Sequence, residues 1–229
     1  MVADLNGDAF WLQTEHQRVR LRARRTQAVE PATAIALDAD ADCGLLTRSQ
    51  WVQFEEVGPE QRITHYSQRD PRWRDVEYAG GLTFGAAGCY VTCVAMVLSL
   101  AGYTDTPPEV ASKLHYVGAF VGANLSNAYR IPDAYPLTVW DGRHDWDGPA
   151  DVDVVRAELA RGPTILEVDY NETTATQEQH FVVAVGLVGD DIEIVDPWDG
   201  ATTRLMERYA LDHWDLARAV YGLRLLRVG

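Results

Sequence analysis

The stretch GAAGCYVTCVAMVLSLAG, from Gly85 to Gly102, predicts the central element of the fold, a buried helix. From Cys89 onward its residues are almost all apolar, and a helix that is hydrophobic on every side is buried on every side. Gly102 follows the last apolar residue, where a glycine commonly ends a helix. We therefore expect a core helix from about Cys89 to Ala101.

Two of the three cysteines of the chain lie in this helix, one turn apart. Cys93 lies a full turn inside the apolar segment and is expected in the core. Cys89 lies in the first turn, where free backbone N–H groups and the positive end of the helix dipole stabilise a thiolate. The local pattern fits an inert cysteine as well as a nucleophile, and it does not decide between them.

The order of the other elements after residue 60 predicts the fold class. A second helix is expected over 106–115, with Thr106 as its N-cap and Pro107 at its first position, and a third over 151–163. Helices that are followed by antiparallel strands indicate an α+β fold. Segments rich in β-branched residues predict strands at 163–170, 180–188, 191–197 and 220–228.

Residues 1–58 read as a separate small β-rich module and residues 59–229 as the main domain, with a Gly-Pro-Glu linker between them. In QRVRLRARR, arginines alternate with apolar residues, which predicts a strand, and further strands are expected at 32–37 and 50–57. This outline resembles bacterial SH3-like modules, which often bind cell walls. An accessory subdomain packed on its neighbour is the alternative, and the sequence leaves both open.

Composition and charge exclude several classes of protein. The net charge of −14 and the pI of about 4.7 argue against nucleic acid or an anionic membrane as the main partner. No apolar run reaches the roughly 18 to 20 residues of a membrane span, and the N-terminus lacks the pattern of a secretory signal. We therefore expect a protein that is made in the cytoplasm without a signal peptide.

The spacing of cysteine and histidine does not favour a metal site. Only Cys89 and Cys93 lie close together, without a second CxxC or an HxxxH. Three cysteines are also too few for a disulfide scaffold, so reduced thiols are expected. We expect neither a metal nor a cofactor.

A nucleophilic cysteine needs a base, and the base needs a group that orients it. Of the six histidines, only His180 opens a strongly apolar strand, where its side chain would be fixed at the end of a sheet. Asp196 ends the next strand and could hold the tautomer of the imidazole. A histidine at a strand start also serves purely structural roles, so this pattern alone leaves both readings open.

The pairing of the two strands decides whether Asp196 reaches His180. A turn centred on Gly189 and Asp190 pairs Asp196 with Val183, three residues beyond His180. A turn at positions 188–189 instead places Asp196 opposite Phe181 and closes most of that gap. The sequence leaves the register open.

Three segments carry a resemblance to a known family. They are the string GCxxTxxAMxL at 88–98, the QRDPRW lead-in at 68–73, and the strand–turn–strand segment QHFVVAVGLVGDDIEIVDPW at 179–198. Together they resemble papain-like cysteine peptidases, most of all the bacteriocin-processing, double-glycine leader peptidases. The resemblance covers roughly residues 62–200, with its three motifs in the family's order.

The resemblance implies a hydrolase with a papain-like fold, in which a buried nucleophile helix packs on an antiparallel sheet. It implies that Cys89 is the nucleophile, His180 the general base and acid, and Asp196 the residue that orients His180. The Gln68 amide and the Cys89 backbone N–H would form the oxyanion hole. The family usually has Gly-Pro after the nucleophile, whereas this chain has Tyr90 and Val91, which affects the inferred substrate more than the chemistry.

A substrate cleft is expected beside these residues. Its candidate lining residues are Tyr90, Trp140, Trp146 and Trp198. The segment WDGRHDW, from Trp140 to Trp146, is expected as an acidic, aromatic loop that rims the cleft and selects basic or aromatic groups of the substrate. An ordinary surface loop with two packed tryptophans is the alternative.

Proteins that resemble this family and carry SH3-like additions often act on peptidoglycan peptides, including in phage lysins and virion-associated enzymes. By that analogy the partner is a cell-wall peptide, with cell-wall or virion contact through residues 1–58, and the protein is virion-associated or released by lysis. The alternative is a catalytically silent papain-like scaffold that serves as a phage structural or binding module. The presence of Cys89, His180, Asp196 and Gln68 together counts against that alternative.

Overall fold

The computed structural model describes residues 63–170, 178–209 and 215–228, together with the backbone of three strands nearer the N-terminus. The chain divides into two compact units, Met1–Gln61 and Arg62–Gly229. The assignment of residues 1–58 and 59–229 to two domains stays a prediction.

The described part of the first unit contains a three-stranded antiparallel sheet in the order β1-β2-β3. Its strands are β1 (Ala9–Gln13), β2 (Arg18–Thr26) and β3 (Trp51–Glu56). The alternating arginine segment forms β2, and the segment predicted at 50–57 forms β3. The strand predicted at 32–37 lies outside the described residues, and the SH3-like character of this unit stays a prediction.

The second unit begins with short elements and continues with the longer helices and the main sheet. In chain order, its elements are β4 (Glu77–Ala79), β5 (Leu82–Thr83), α1 (Phe84–Ala87), α2 (Cys89–Leu100), α3 (Pro107–Tyr116), α4 (Ile131–Ala134), β6 (Thr138–Asp145), α5 (Val152–Ala160), β7 (Thr164–Asp169), β8 (Gln179–Val188), β9 (Asp191–Asp196), β10 (Ala201–Arg204), α6 (Leu205–Tyr209), α7 (Leu216–Ala219) and β11 (Val220–Val228).

The main sheet has six strands in the order β10-β9-β8-β7-β11-β6, and every neighbouring pair is antiparallel. The three long helices and the four strands that the sequence predicts are present within a few residues of the expected bounds. The prediction of an α+β fold with an antiparallel sheet is confirmed. No helix in the described part of the chain is long and apolar enough to cross a membrane.

Helix α2 is the buried helix that the opening stretch predicts. It packs against α3 and against strands β7, β8 and β11. Its residues from Val91 to Leu98 are all buried, and Gly102 follows with a φ of 82°, a backbone conformation that favours glycine. The sheet carries a second hydrophobic cluster, in which residues of α5, α6 and α7 meet other residues of the strands.

The segment WDGRHDW is not a loop. Its residues up to Asp145 belong to β6, which is the last strand of the sheet and, within the described part of the chain, pairs only with β11. An edge strand has one side free of partners and tolerates charged residues and glycine, so its composition is similar to that of a loop. The sequence-based prediction of a loop was therefore wrong.

Candidate active site

Cys89 is the first residue of α2 and is presented by a tight turn between α1 and α2. The backbone N–H of Gly88 donates a hydrogen bond to the carbonyl oxygen of Phe84 at 2.8 Å. A Cβ atom at Gly88 would lie 2.6 Å from that oxygen and 2.9 Å from the Phe84 Cα, so only glycine fits here. Cys89 is partly exposed, whereas Cys93 is buried, and this burial raises the pKa of the Cys93 thiol well above its usual value.

His180 is the second residue of β8 and is almost fully buried. Its Nε2 atom lies 2.9 Å from Oδ1 of Asp196, and its side chain is close enough to the Cys89 thiol for the two groups to interact. Burial disfavours the charged imidazolium, but the interactions with Asp196 and Cys89 outweigh it and raise the pKa of His180 to about 9. The three side chains therefore stabilise a protonated imidazole next to the thiol.

A β-bulge sets the pairing that joins His180 to Asp196. The hairpin turn lies at Gly189 and Asp190, with Val188 paired to Asp191, as one of the two predicted registers requires. Val185, however, is skipped between the pairs Ala184–Ile194 and Gly186–Glu193. Every later pair is therefore displaced by one residue.

This displacement decides which face of the sheet Asp196 occupies. Val195 pairs with Val183, so Asp196 comes level with Val182. Val182 and His180 share a face because side chains alternate along a strand. A regular hairpin with the same turn would place Asp196 level with Val183, on the opposite face, because a one-residue slip moves a side chain to the other side. Neither of the two registers considered from the sequence contains this bulge.

Asp196 is completely buried and holds four hydrogen-bonding or charged partners. Besides His180, these are the Tyr209 hydroxyl, the Trp198 backbone N–H at 2.8 Å and the Arg208 guanidinium, whose Nε lies 2.7 Å from Oδ2. Burial alone would raise the pKa of Asp196, but the hydrogen bonds and the charge of His180 lower it below its usual value. Asp196 is therefore held as a carboxylate.

Arg208 and Tyr209 are site residues that the sequence analysis missed. They lie in α6, which returns to the carboxylate after the short strand β10. No local motif marks them, because the contact depends on the turn that reverses the chain after Asp196.

Gln68 is buried next to the same segment. Its backbone N–H donates to the carbonyl oxygen of Pro197 at 2.6 Å, and its side-chain Nε2 donates to the carbonyl oxygen of Gly85 at 3.3 Å. The Trp73 indole N–H donates to the carbonyl oxygen of Ser67 at 2.8 Å and holds the turn that carries Gln68. An amide nitrogen has two N–H groups, so one of them is available to a substrate.

Cys89, Gln68 and His180 line one cleft of about 910 Å³. Tyr90, Trp140 and Trp198 also line it. Trp146 does not: it lies beyond the end of β6, packs against the second hydrophobic cluster and stacks on His144 with ring centroids 5.9 Å apart.

Tyr90 occupies the position after the cysteine. Its ring stacks on Phe181 with centroids 4.5 Å apart, and its hydroxyl is buried without a hydrogen-bond partner among the described residues. Burial raises the pKa of Tyr90, so the side chain is neutral. The bulky residue fills space in the cleft beside Cys89.

The charge of the cleft differs from the acidic rim that the sequence predicts. The described residues that line it include four arginines and neither aspartate nor glutamate. The arginines are Arg69, Arg143, Arg208 and Arg224.

Comparisons with known proteins address the main domain. The model of the Peptidase_C39 like family matches residues 60–221. Among solved structures, the chain is similar to a protein from Bacillus anthracis that has been proposed to be a C39-like peptidase, with 14% sequence identity and a TM-score of 0.42. That similarity covers 74% of this chain and 98% of the other. No curated protein matches the chain significantly.

Proposed function

The chain belongs to the Peptidase_C39 like family of papain-like cysteine peptidases, and from this premise we propose that it hydrolyses peptide bonds with Cys89 as the nucleophile. His180 acts as the general base and acid, and Asp196 orients it. Gln68 and the Cys89 backbone N–H stabilise the oxyanion. We also propose that the main domain has a papain-like fold, in which α2 is the nucleophile helix and packs on the main sheet.

One observation carries the proposal: the buried imidazole of His180 joins a buried carboxylate to the thiol that begins α2. The Nε2 atom faces Asp196 at 2.9 Å, which leaves the other ring nitrogen for Cys89. A purely structural histidine does not require a partly exposed thiol as its second partner. The thiol and the imidazole line a cleft that is large enough for a peptide, and the carboxylate lies buried behind the imidazole.

In the acylation step, the proton of the thiol resides on His180 and the Cys89 sulfur attacks the carbonyl carbon of the substrate. The carbonyl electrons move to the oxygen, which accepts hydrogen bonds from Gln68 and from the backbone N–H of Cys89. As the tetrahedral intermediate collapses, the carbon–nitrogen bond breaks. His180 gives its proton to the leaving nitrogen, and a thioester remains on Cys89.

In the deacylation step, His180 takes a proton from a water molecule that attacks the thioester. The carbon–sulfur bond breaks and the peptide acid leaves. His180 is then again protonated and Cys89 is again a thiolate, as at the start of the acylation step. Asp196 keeps the imidazole in one orientation throughout, because its own position is set by Arg208, Tyr209 and Trp198.

The rate at which iodoacetamide alkylates Cys89 tests this proposal without a known substrate. A thiolate–imidazolium pair reacts rapidly below pH 6, where an ordinary thiol with a pKa of about 8.5 is almost inert. We expect fast labelling of the full chain at pH 6 and slow labelling of His180→Ala. Cys89→Ser measures the background from the other cysteines. Labelling that rises only near pH 8.5 would contradict the proposal and favour the silent scaffold.

For the substrate we propose cell-wall peptides as the first to test. This choice rests on the outline of residues 1–58 and on the analogy with lysins. Purified muropeptides incubated with the full chain should yield new amino termini that Cys89→Ser does not produce. Cleavage of unrelated peptides alone would support the peptidase function but contradict the proposal that cell-wall peptides are the substrate.

A further inference from the structure

The arginines of the cleft contrast with the charge of the whole chain. The chain carries 34 acidic and 20 basic residues, yet no described residue that lines the cleft is acidic. A concave surface with one sign of charge attracts ligands of the opposite sign. The cleft is therefore suited to an anionic group, and an arginine without a carboxylate partner inside the protein would bind that group best.

Three of the four arginines have carboxylate partners. Arg208 lies beside Asp196 and Asp199, and Arg224 binds Glu167 and lies 2.8 Å from Asp145. Arg143 also contacts Asp145, at 2.9 Å. The charges of these arginines are thus largely compensated inside the protein.

Arg69 has no carboxylate partner among the described residues. Its neighbour Asp70 is engaged by the Arg72 guanidinium at 2.7 and 2.9 Å. The Arg69 guanidinium lies over the ring of Trp198, with its carbon atom 3.6 Å from the ring centroid. Stacking occupies the flat face of a guanidinium and leaves the N–H groups at its edge free to bind a carboxylate.

The position of Trp198 relates Arg69 to the reacting bond. The Trp198 ring meets the His180 imidazole edge to face, with centroids 6.4 Å apart. Because His180 protonates the leaving nitrogen, the leaving half of the substrate lies on the side of the imidazole. The first residue after the cleaved bond therefore comes next to Trp198 and the guanidinium that is stacked on it.

We propose that Arg69 is a specificity residue that selects peptides with a carboxylate directly after the cleaved bond. The carboxylate is the side chain of an aspartate or glutamate, or a free carboxyl terminus. This inference rests on the proposed peptidase function. It names the substrate class as anionic peptides, in contrast to the basic or aromatic groups that the sequence analysis expected.

Alkylation with two reagents tests the charge at the cleft without a substrate. Iodoacetate is anionic and iodoacetamide is neutral, and both transfer their carbon to the Cys89 sulfur with loss of iodide. We expect Arg69→Gln to lower the iodoacetate rate about three-fold relative to the iodoacetamide rate. Arg74→Gln, which removes the same charge outside the cleft, should leave the ratio unchanged. An equal ratio in wild type and Arg69→Gln overturns the role of Arg69, whereas slow alkylation by both reagents at pH 6 overturns the peptidase.

A synthetic library of peptides with randomised central residues then tests the selectivity directly. Mass spectrometry identifies the residue at each new amino terminus. In products of the wild type, we expect aspartate and glutamate at the new amino terminus to be enriched about five-fold, together with single residues released from carboxyl termini. In Arg69→Gln this enrichment should disappear. In Arg69→Glu, lysine and arginine should be enriched at the new amino terminus instead. Products without acidic enrichment, or with the same enrichment in Arg69→Gln, overturn the inference while leaving the peptidase intact.

Discussion

The Nε2 atom of His180 lies 2.9 Å from Oδ1 of Asp196, and the two residues share a face of the sheet because β8 contains one unpaired residue, Val185. The turn of the hairpin alone would have placed Asp196 on the other face. The contact therefore depends on a bulge five residues from His180 as much as on the two residues themselves.

Replacing Asp196 by asparagine should change the pH dependence of catalysis. The amide retains a hydrogen-bond acceptor for His180 but lacks the negative charge that helps to raise the pKa of His180 to about 9. The alkaline limit of kcat/KM should therefore move down by about 1 to 2 pH units. Asp196→Ala, which also removes the acceptor, should lose about 100-fold or more in kcat. An alkaline limit that stays in place in Asp196→Asn would exclude charge coupling between the two residues.

Replacing Gln68 by alanine should separate turnover from thiol reactivity. The Gln68 amide is proposed to act only when an oxyanion forms, so kcat should fall about 100- to 1000-fold with little change in KM. Alkylation of Cys89 by iodoacetamide forms no oxyanion and should remain fast at pH 6. If both activities fall together, Gln68 acts by holding the fold around Gly85 and not by binding the oxyanion.

Replacing Gly88 by alanine should disturb the presentation of Cys89. The added carbon would lie within 3 Å of three Phe84 atoms, two of them backbone atoms, so α1 and α2 must separate. We expect a loss of about 1 to 3 kcal/mol in the free energy of unfolding, measured with denaturant, and slower alkylation of Cys89. Gly148→Ala is the matched control, because a carbon there has no neighbour within 4 Å. Equal stability of the two variants would show that the turn can relax.

Charged His180 should stabilise the folded chain only up to mildly alkaline pH. Its folded-state pKa is raised from 6.5 to about 9, so the stabilisation is fully present below pH 6.5 and is lost as the pH rises through 9. The difference in unfolding free energy between wild type and His180→Gln should therefore shrink, by about 3 kcal/mol at most, between pH 6 and pH 10. The comparison cancels the titration of groups that do not interact with His180. A difference that grows with pH would mean that His180 is neutral in the folded protein.

Local patterns in the sequence predict much of the main domain. The apolar run after Cys89 predicts a helix, and the β-branched segments after Pro163 predict strands. Both are recognisable because elements that are buried on all sides have a distinctly apolar composition. The motifs also group Cys89, His180, Asp196 and Gln68, and the structure brings these four residues together.

Other features of the site cannot be recognised from local sequence. Val185 lies among similar valines, so the sequence does not distinguish the bulged residue from a paired one. Arg208 and Tyr209 reach Asp196 only through the reversal of the chain after β9. The edge strand β6 has one partner strand among the described residues and tolerates charges and a glycine, so its composition is similar to that of a loop. Each of these features depends on neighbours that are distant in sequence.

The bulge at Val185 also determines which insertions and deletions the hairpin can accept. Extra residues in the turn at 189–190 leave the pairing of both strands unchanged and should preserve the site. The loss of Val185, or the gain of one residue between Glu193 and Ile194, makes the paired segments equal in length and leaves Asp196 level with Val182. The opposite changes, a residue gained in β8 beside Val185 or lost from β9, enlarge the mismatch to two residues and should move Asp196 away from His180. Length changes inside these two strands should thus be tolerated in one direction only, whereas the turn between them is free to vary.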